Sequence, residues 1–270
     1  MSVTVGEICA WIESWAPVSW AEEGDPVGLQ FGSLEQRLIH LGLALELTPA
    51  VAEWVLRQGV EALLTHHPVF FRPLRRLREE DPWEGLILRL IRRGCTVISY
   101  HTNLDAAPGG VSDLLAEALG VRAERALRPV PGHERAGLGR VGELEEPLRL
   151  SSLAERLRQL LGAPVLMAGP DREVKRVALC AGSGWSLWPE VLSSEAEVFI
   201  TGEVKHHIAR EAEIRGLGLL ATDHWAMENY FWRHLSERLR VRFPDLRVSF
   251  FEDRSPFRTL SEEEDRCARK

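Results

Sequence analysis

Cysteine and lysine are both scarce in this sequence, and the scarcity excludes whole classes of protein. The four cysteines (Cys9, Cys95, Cys180 and Cys267) are scattered and never fall into CxxC spacing. That argues against a thiolate zinc site and a disulfide framework, and it fits a reducing cytoplasm. Lysine occurs only at Lys175, Lys205 and Lys270, so the positive charge is almost all arginine, a compositional bias more than a functional signal. No apolar run approaches the roughly 20 residues that span a bilayer. The N-terminal MSVTVGEICAWIESWAPVSW has no basic leader ahead of an apolar core, so neither a membrane nor a secretion signal is expected. A net charge of −7 lacks the basic footprint that nucleic acid requires. The one arginine-rich segment, Arg72 to Arg93, is interleaved with Glu79, Glu80, Asp81 and Glu84 and reads as solvated surface. GxSxG, P-loop and HExxH patterns are absent, which removes serine-hydrolase, P-loop and zincin chemistry.

What is present is ordinary globular composition over 270 residues, with 45% apolar and 27% charged residues. Apolar strands alternate with amphipathic helices. LIHLGLALELT (38–48), VEALLTHHP and CTVISYHTNLD read as strands, separated by helices at 49–59 and over WEGLILRLIRRG and followed by a third over GVSDLLAEALG. A second series of the same order starts at VKRVALCAGSG (174–184) and runs through AEVFITGEVKHH and LGLLATDHW to AMENYFWRHLSERL. Such alternation implies an α/β fold of two pseudo-repeated βαβ halves with a largely parallel or mixed sheet. The expected organisation is a core of 1–120 and 174–270, with 121–173 as a small inserted subdomain of a couple of strands and one helix (151–161). The tail from Thr259 is charged, without aromatics, and is expected to fray.

In an open parallel sheet, ligands bind beyond the carboxyl ends of the strands. Here those ends carry His66 and His67, His101 with Asp105, His224 with Glu228, and the turn Gly182-Ser183-Gly184, whose N–H groups suit an anion. Converging in a cleft between the halves, imidazoles and carboxylates form the mixed ligand set of Zn, Fe, Mn, Co or Ni. His224 and Glu228, four apart, share one helical face. Adjacent His66 and His67 diverge on a regular strand, but at an irregular strand end each can serve a different ion. That count suggests two divalent ions bridged by one carboxylate. His206 and His207 have no carboxylate at ligand spacing and read as surface or helix-capping residues, although their position mirrors His66 and His67. His40, His133 and His234 lack partners and read as structural or exposed.

The blocks DPVGLQFG (25–32), LLTHHPVFF (63–71), SYHTNLDAAPGGVSDLLAEALG (99–120), AGSG (181–184), FITGEVKHH (199–207) and DHWAMEN (223–229) resemble, in order, those of the NIF-three-like family. Bacterial members are labelled GTP cyclohydrolase I type 2 homologs, and this chain is similar to the short form, without the larger inserted domain. The resemblance implies a dinuclear metal centre with His66, His67, Asp105, His224 and Glu228 as ligands and Glu228 as the bridge. It assigns His101 an acid–base or supporting role. It also implies a hexameric ring of dimers. Two departures, Pro26 and Glu203 where the family often has Asn and Asp, are expected not to touch a ligand position. The implied activity is hydrolysis of a nucleotide-like or phosphorylated small molecule, with opening of the GTP imidazole ring one form and arginines of 72–78 meeting the triphosphate. The alternative is a non-enzymatic metal-handling or partner-binding protein.

Overall fold

The computed structural model describes residues 3–258, so Cys267 and the expected frayed tail lie outside the described residues. The chain opens with β1 (Val3–Thr4) and α1 (Val5–Glu13), joined by a capping box in which the Thr4 hydroxyl accepts from Glu7 N while the Glu7 carboxylate accepts from Thr4 N. After β2 (Gly28–Phe31) and β3 (Arg37–Leu38), three βα units follow: β4 (His40–Ala44) with α2 (Pro49–Gln58), β5 (Ala62–Thr65) with α3 (Pro82–Arg92), and β6 (Thr96–Ser99) with α4 (Thr102–Ala106) and α5 (Val111–Ala118). Proline stands at the first position of α2 and α3, behind the caps Thr48 and Asp81.

Next come β7 (Val121–Val130), β8 (His133–Arg149), α6 (Leu150–Leu161) and β9 (Leu166–Ala168). The second triplet of strands is β10 (Glu173–Cys180), β11 (Val198–Thr201) and β12 (Gly218–Ala221). It carries α7 (Trp188–Ser193), α8 (His206–Arg215) and α9 (His224–Arg242), and β13 (Arg247–Phe250) closes the described chain. The repeat is visible in the pairing. β4-β5-β6 and β10-β11-β12 are each consecutive and parallel, and each third strand is flanked by an antiparallel neighbour, β2 and β9 respectively. The two sheets run β13-β4-β5-β6-β2 and β7-β8-β10-β11-β12-β9.

Residues 121–173, expected as a small inserted subdomain, do contain strands and one helix. All three of their strands, however, belong to the sheet of the second half, with β8 antiparallel to β10. Backbone pairing, together with the buried Arg140, holds β8 there in place of an apolar repeat. Arg140 donates from Nε to Asp113 (2.6 Å) and from Nη1 to the carbonyls of Gly137 and Gly139 (both 2.7 Å). The C-terminal strand crosses back, β13 pairing in parallel with β4.

Alternation along the strands decides the layers. Leu64 and Ile98 face inward with Val198, Ile200 and Leu220 of the other sheet, into one shared core that also takes Ile8, Leu115, Leu153, Phe231, Trp232 and Leu235. Leu63 and Val97 face the opposite way, against Val55, Ile87 and Leu90 of α2 and α3. Phe199 and Leu219 likewise meet Val191 and Ile208 of α7 and α8. The two sheets therefore sandwich α1, α5, α6 and α9, and a second helical layer covers each outer face. Both β5 and β12 end at the cleft where the shared core gives way to polar side chains.

Candidate metal centre

The centre begins where β5 stops being a strand. The amides of both His66 and His67 donate to Leu45 O, at 2.9 and 3.0 Å. The Thr65 hydroxyl donates to His67 O at 3.0 Å and is 2.7 Å from Ser99 Oγ. This turn brings the two adjacent rings to the same side, 5.3 Å apart, where a regular strand would send them to opposite faces. The second half repeats the device at Thr201, whose hydroxyl bonds Glu203 O at 3.4 Å. The residue that mirrors His67 is thus Glu203, and the supposed counterparts His206 and His207 stand exposed at the start of α8.

Third-strand ends supply the rest. Asp223 caps α9 through Ala226 N, so His224 is the first helical residue and Glu228 lies one turn on, with His224 Nε2 2.8 Å from Glu228 Oε1 but not at a hydrogen-bonding angle. His101 stands just outside α4, and Asp105 lies within that short helix. Glu228 is the hub. Its Oε1 is 3.6 Å from His66 Nε2 and its Oε2 is 3.0 Å from His67 Nε2, while Asp105 Oδ1 is 3.7 Å from His66 Nε2. Two groups gather one donor atom each within 4.8 Å: His66, His67 and His101, and His67, His224 and Glu228.

All four imidazoles are oriented alike. Nδ1 is taken in each case: by Tyr100 O for His66 (3.0 Å), Glu46 for His67 (3.1 Å), Asp25 for His101 (3.0 Å) and Glu203 for His224 (2.7 Å). With Nδ1–H donating, the neutral ring keeps its Nε2 lone pair for an ion, an arrangement typical of metal-ligating histidine. The buried His66 Nε2, His224 Nε2, Asp105 Oδ1 and Glu228 Oε2 have no hydrogen-bond partner. Buried polar atoms are rarely left so, and a cation among them would satisfy all four. The residues present fit a metal ion.

Glycine at 182 completes the fit, because a Cβ there would lie 2.3 Å from Glu228 Oε1 and 3.3 Å from His224 Nε2. In the same turn, Gly184 N donates to Thr201 Oγ1 at 3.0 Å, so this N–H serves the fold and not an anion.

The charges are strongly coupled. Burial alone would raise the Glu228 carboxyl, but the imidazoles of His66, His224 and His67 hold it well below the ordinary range. Burial wins at Asp105 and pushes it up. At His67 burial opposes protonation, yet Glu228 and Glu46 outweigh it and lift the ring to about 10. His224 is lifted against burial to about 9, by Glu228 and Glu203. His101 is raised too, burial being overcome by Asp25 and Asp105. Without an ion, the carboxylates favour the protonated rings of His67 and His224, and a bound cation would displace those protons from Nε2.

Sequence reasoning brought His66, His67, His101, Asp105, His224 and Glu228 to one place, and the structure assembles them there. It missed the anchoring roles of Asp25, Glu46 and Glu203, and the expectation that Glu203 touches no ligand position is overturned by its contact with His224. Glu46 stands two residues past β4, at the same sheet end as the histidines, and that position was its available signal. Of the histidines set aside, His40 is buried with Nε2 2.9 Å from Ser249 Oγ, and His234 Nδ1 donates to Tyr230 O, so both have partners within the fold.

Known proteins resemble this chain in sequence and in fold. The sequence profile of the Duf34/NIF3 (NGG1p interacting factor 3) family matches residues 3–256. A Lactococcus lactis protein named GTP cyclohydrolase 1 type 2 homolog is 33% identical over 233 residues, covering 84% of this chain and 88% of that protein. Among solved structures, a Bacillus cereus protein related to NIF3 superposes with a TM-score of 0.86 at 22% identity, over 96% of this chain and all of the other, and speaks for the fold. Reduced HcgD from Methanocaldococcus jannaschii gives 0.80 at 27% identity, over 93% of this chain and 98% of that one.

Proposed function

Because the chain belongs to the Duf34/NIF3 family, we propose that it is a metal-dependent hydrolase built on a two-ion centre and acting on a nucleotide-like or phosphorylated substrate. The observation that carries this reading is the common orientation of the four imidazoles, each tied at Nδ1, beside two carboxylates with unpartnered buried oxygens. His66, His67, Asp105, His224 and Glu228 would hold the ions, Glu228 presenting one oxygen toward His224 and His66 and the other toward His67. Nitrogen and oxygen donors of this kind suit Zn, Fe, Mn, Co or Ni. Two such ions supply Lewis acidity and an activated water.

The chain's own residues do the rest. Asp25 fixes the His101 ring at Nδ1, so His101 stands at the edge of the centre, where it would move a proton from the attacking water to a leaving group. Phe71, 6.3 Å from the His101 ring, sets the start of the arginine segment beside the centre, and arginines of 72–78 would meet phosphate there. The relative's name makes hydrolytic opening of a purine imidazole ring the specific form to assay first. We further propose a hexameric ring built from dimers, located in the cytoplasm. Among the described residues no helix is long and apolar enough to cross a membrane.

The test is turnover by metal-loaded protein with nucleoside triphosphates, wild type beside His101→Ala. Turnover in the wild type, with metal retained and rate lost in the variant, supports the hydrolase and the proton role; metal lost in the variant makes His101 a ligand instead. Side chains of His67 and His224 are each 27% exposed, which favours one second reading, that of an ion carrier. Rapid ion exchange without any turnover would establish that reading and refute the hydrolase.

A further inference from the structure

A broad groove, about 770 Å³ beside Asp113, Arg122 and Glu143, does not reach the metal centre. A smaller cavity, about 200 Å³, opens directly on His67 and His224. Its apolar walls are Leu45, Trp225, Pro256 and Phe257. Glu46, Glu203 and Asp223 supply its remaining charged lining, and no arginine or lysine reaches it.

We propose that this cavity seats a planar nitrogen heterocycle bearing N–H donors, flanked by Trp225 and Phe257, and so selects the ring portion of the substrate. The inference rests on the metal-dependent reading above and deepens it. Size sets the first limit. An apolar cavity of about 150 Å³ accepts benzene, so this one takes a single or fused ring and leaves sugar and phosphates outside. Charge sets the second. Away from the two histidines the charged lining is carboxylate alone, with no arginine or lysine to receive a phosphate, while Glu46 and Glu203 each use one oxygen on an imidazole and keep the other for a donor. Phe257, 80% exposed, is an apolar surface with no task in the core.

The outer wall is tied to the centre. Ser255 Oγ donates to Asp223 Oδ2 at 2.7 Å, Thr48 Oγ1 to Asp253 Oδ2 at 2.5 Å, and Phe257 N to Ser255 Oγ at 3.2 Å. Asp223 also caps the helix that begins with His224. The segment from Glu252 to Phe257 therefore stands at a fixed place beside the ligand turn, and a ring packed against it sits next to the ions.

Calorimetric titration of the metal-loaded protein with 2-aminobenzimidazole, a donor-bearing bicycle, and with benzoxazole, a donor-free one, tests this. The wild type is expected to bind the first about tenfold more tightly than the second. Phe257→Ala and Trp225→Ala are each expected to weaken the first by up to about tenfold, with metal content unchanged by elemental analysis. Phe257 is exposed, so its variant leaves the core intact. Equal affinity for both rings, no binding of either, or binding undiminished in both variants overturns the proposal while leaving the metal centre standing. A wild type that takes up no metal fails the proposed function instead, and titration of the metal-free protein then tests the cavity alone.

Discussion

Gly182→Ala perturbs the centre from behind without removing any donor atom. Gly182 has φ +66°, where an L-residue costs about 1–2 kcal/mol. For a chain of this size that lowers Tm by roughly 2–8 °C. The new Cβ would also lie 2.3 Å from Glu228 Oε1. Reaching the 3.0 Å that real contacts respect takes a shift of roughly 0.7 Å, against a tolerance of about 0.2 Å in metal–ligand distances. The clash is with the tip of a side chain, so the fold yields cheaply and the ligand set does not. Gly216→Ala is the control, at φ +69° with nothing within 4 Å of its Cβ. Thermal unfolding and elemental analysis of both variants should show similar losses of Tm but loss of metal only in Gly182→Ala. Full metal content in Gly182→Ala would refute the placement of Glu228 as a ligand.

Three further outcomes follow from the same geometry. Glu46→Ala and Glu203→Ala, which free Nδ1 of His67 and His224, should each weaken metal affinity about 10–100-fold in a chelator competition. Arg140→Met strands the Asp113 carboxylate and four backbone carbonyls and should cost about 3–5 kcal/mol in urea unfolding, partly recovered by adding Asp113→Asn. Burial pushes the Cys95 thiol up to about 12, so at pH 9 about one in a thousand is ionised, and iodoacetamide followed by mass mapping should leave it unmodified until the protein unfolds.

The strand ends were legible because each polar residue interrupts an apolar run at a fixed place. Thr65 closes ALLT just before His66, and Ala221 closes GLLA three residues before His224. The helix at 49–58 was legible from the proline at its start and the glycine behind it, and the helix at 82–92 from its apolar spacing and the closing Gly94. What escaped was set by contacts distant in sequence. Asp25 reaches His101 across 76 residues, and Glu46 and Glu203 each reach their imidazole across 21, with no periodicity to link them. The couple of strands expected within 121–173 could be neither bounded nor assigned to a sheet, because the burial of the strand at 133–149 comes from pairing between two neighbours and from a buried arginine and not from an apolar repeat. The mirror of His66 and His67 was misplaced because histidine type was matched at His206 and His207. The hydroxyl that pins the turn points to Glu203 instead.

The most direct test of the two-ion centre is the metal content of purified, reconstituted protein, wild type beside Glu228→Ala. The account requires about two transition-metal ions per chain in the wild type and a sharp fall in the variant, with secondary structure retained. A wild type without metal after reconstitution, or a variant that keeps both ions, would contradict it.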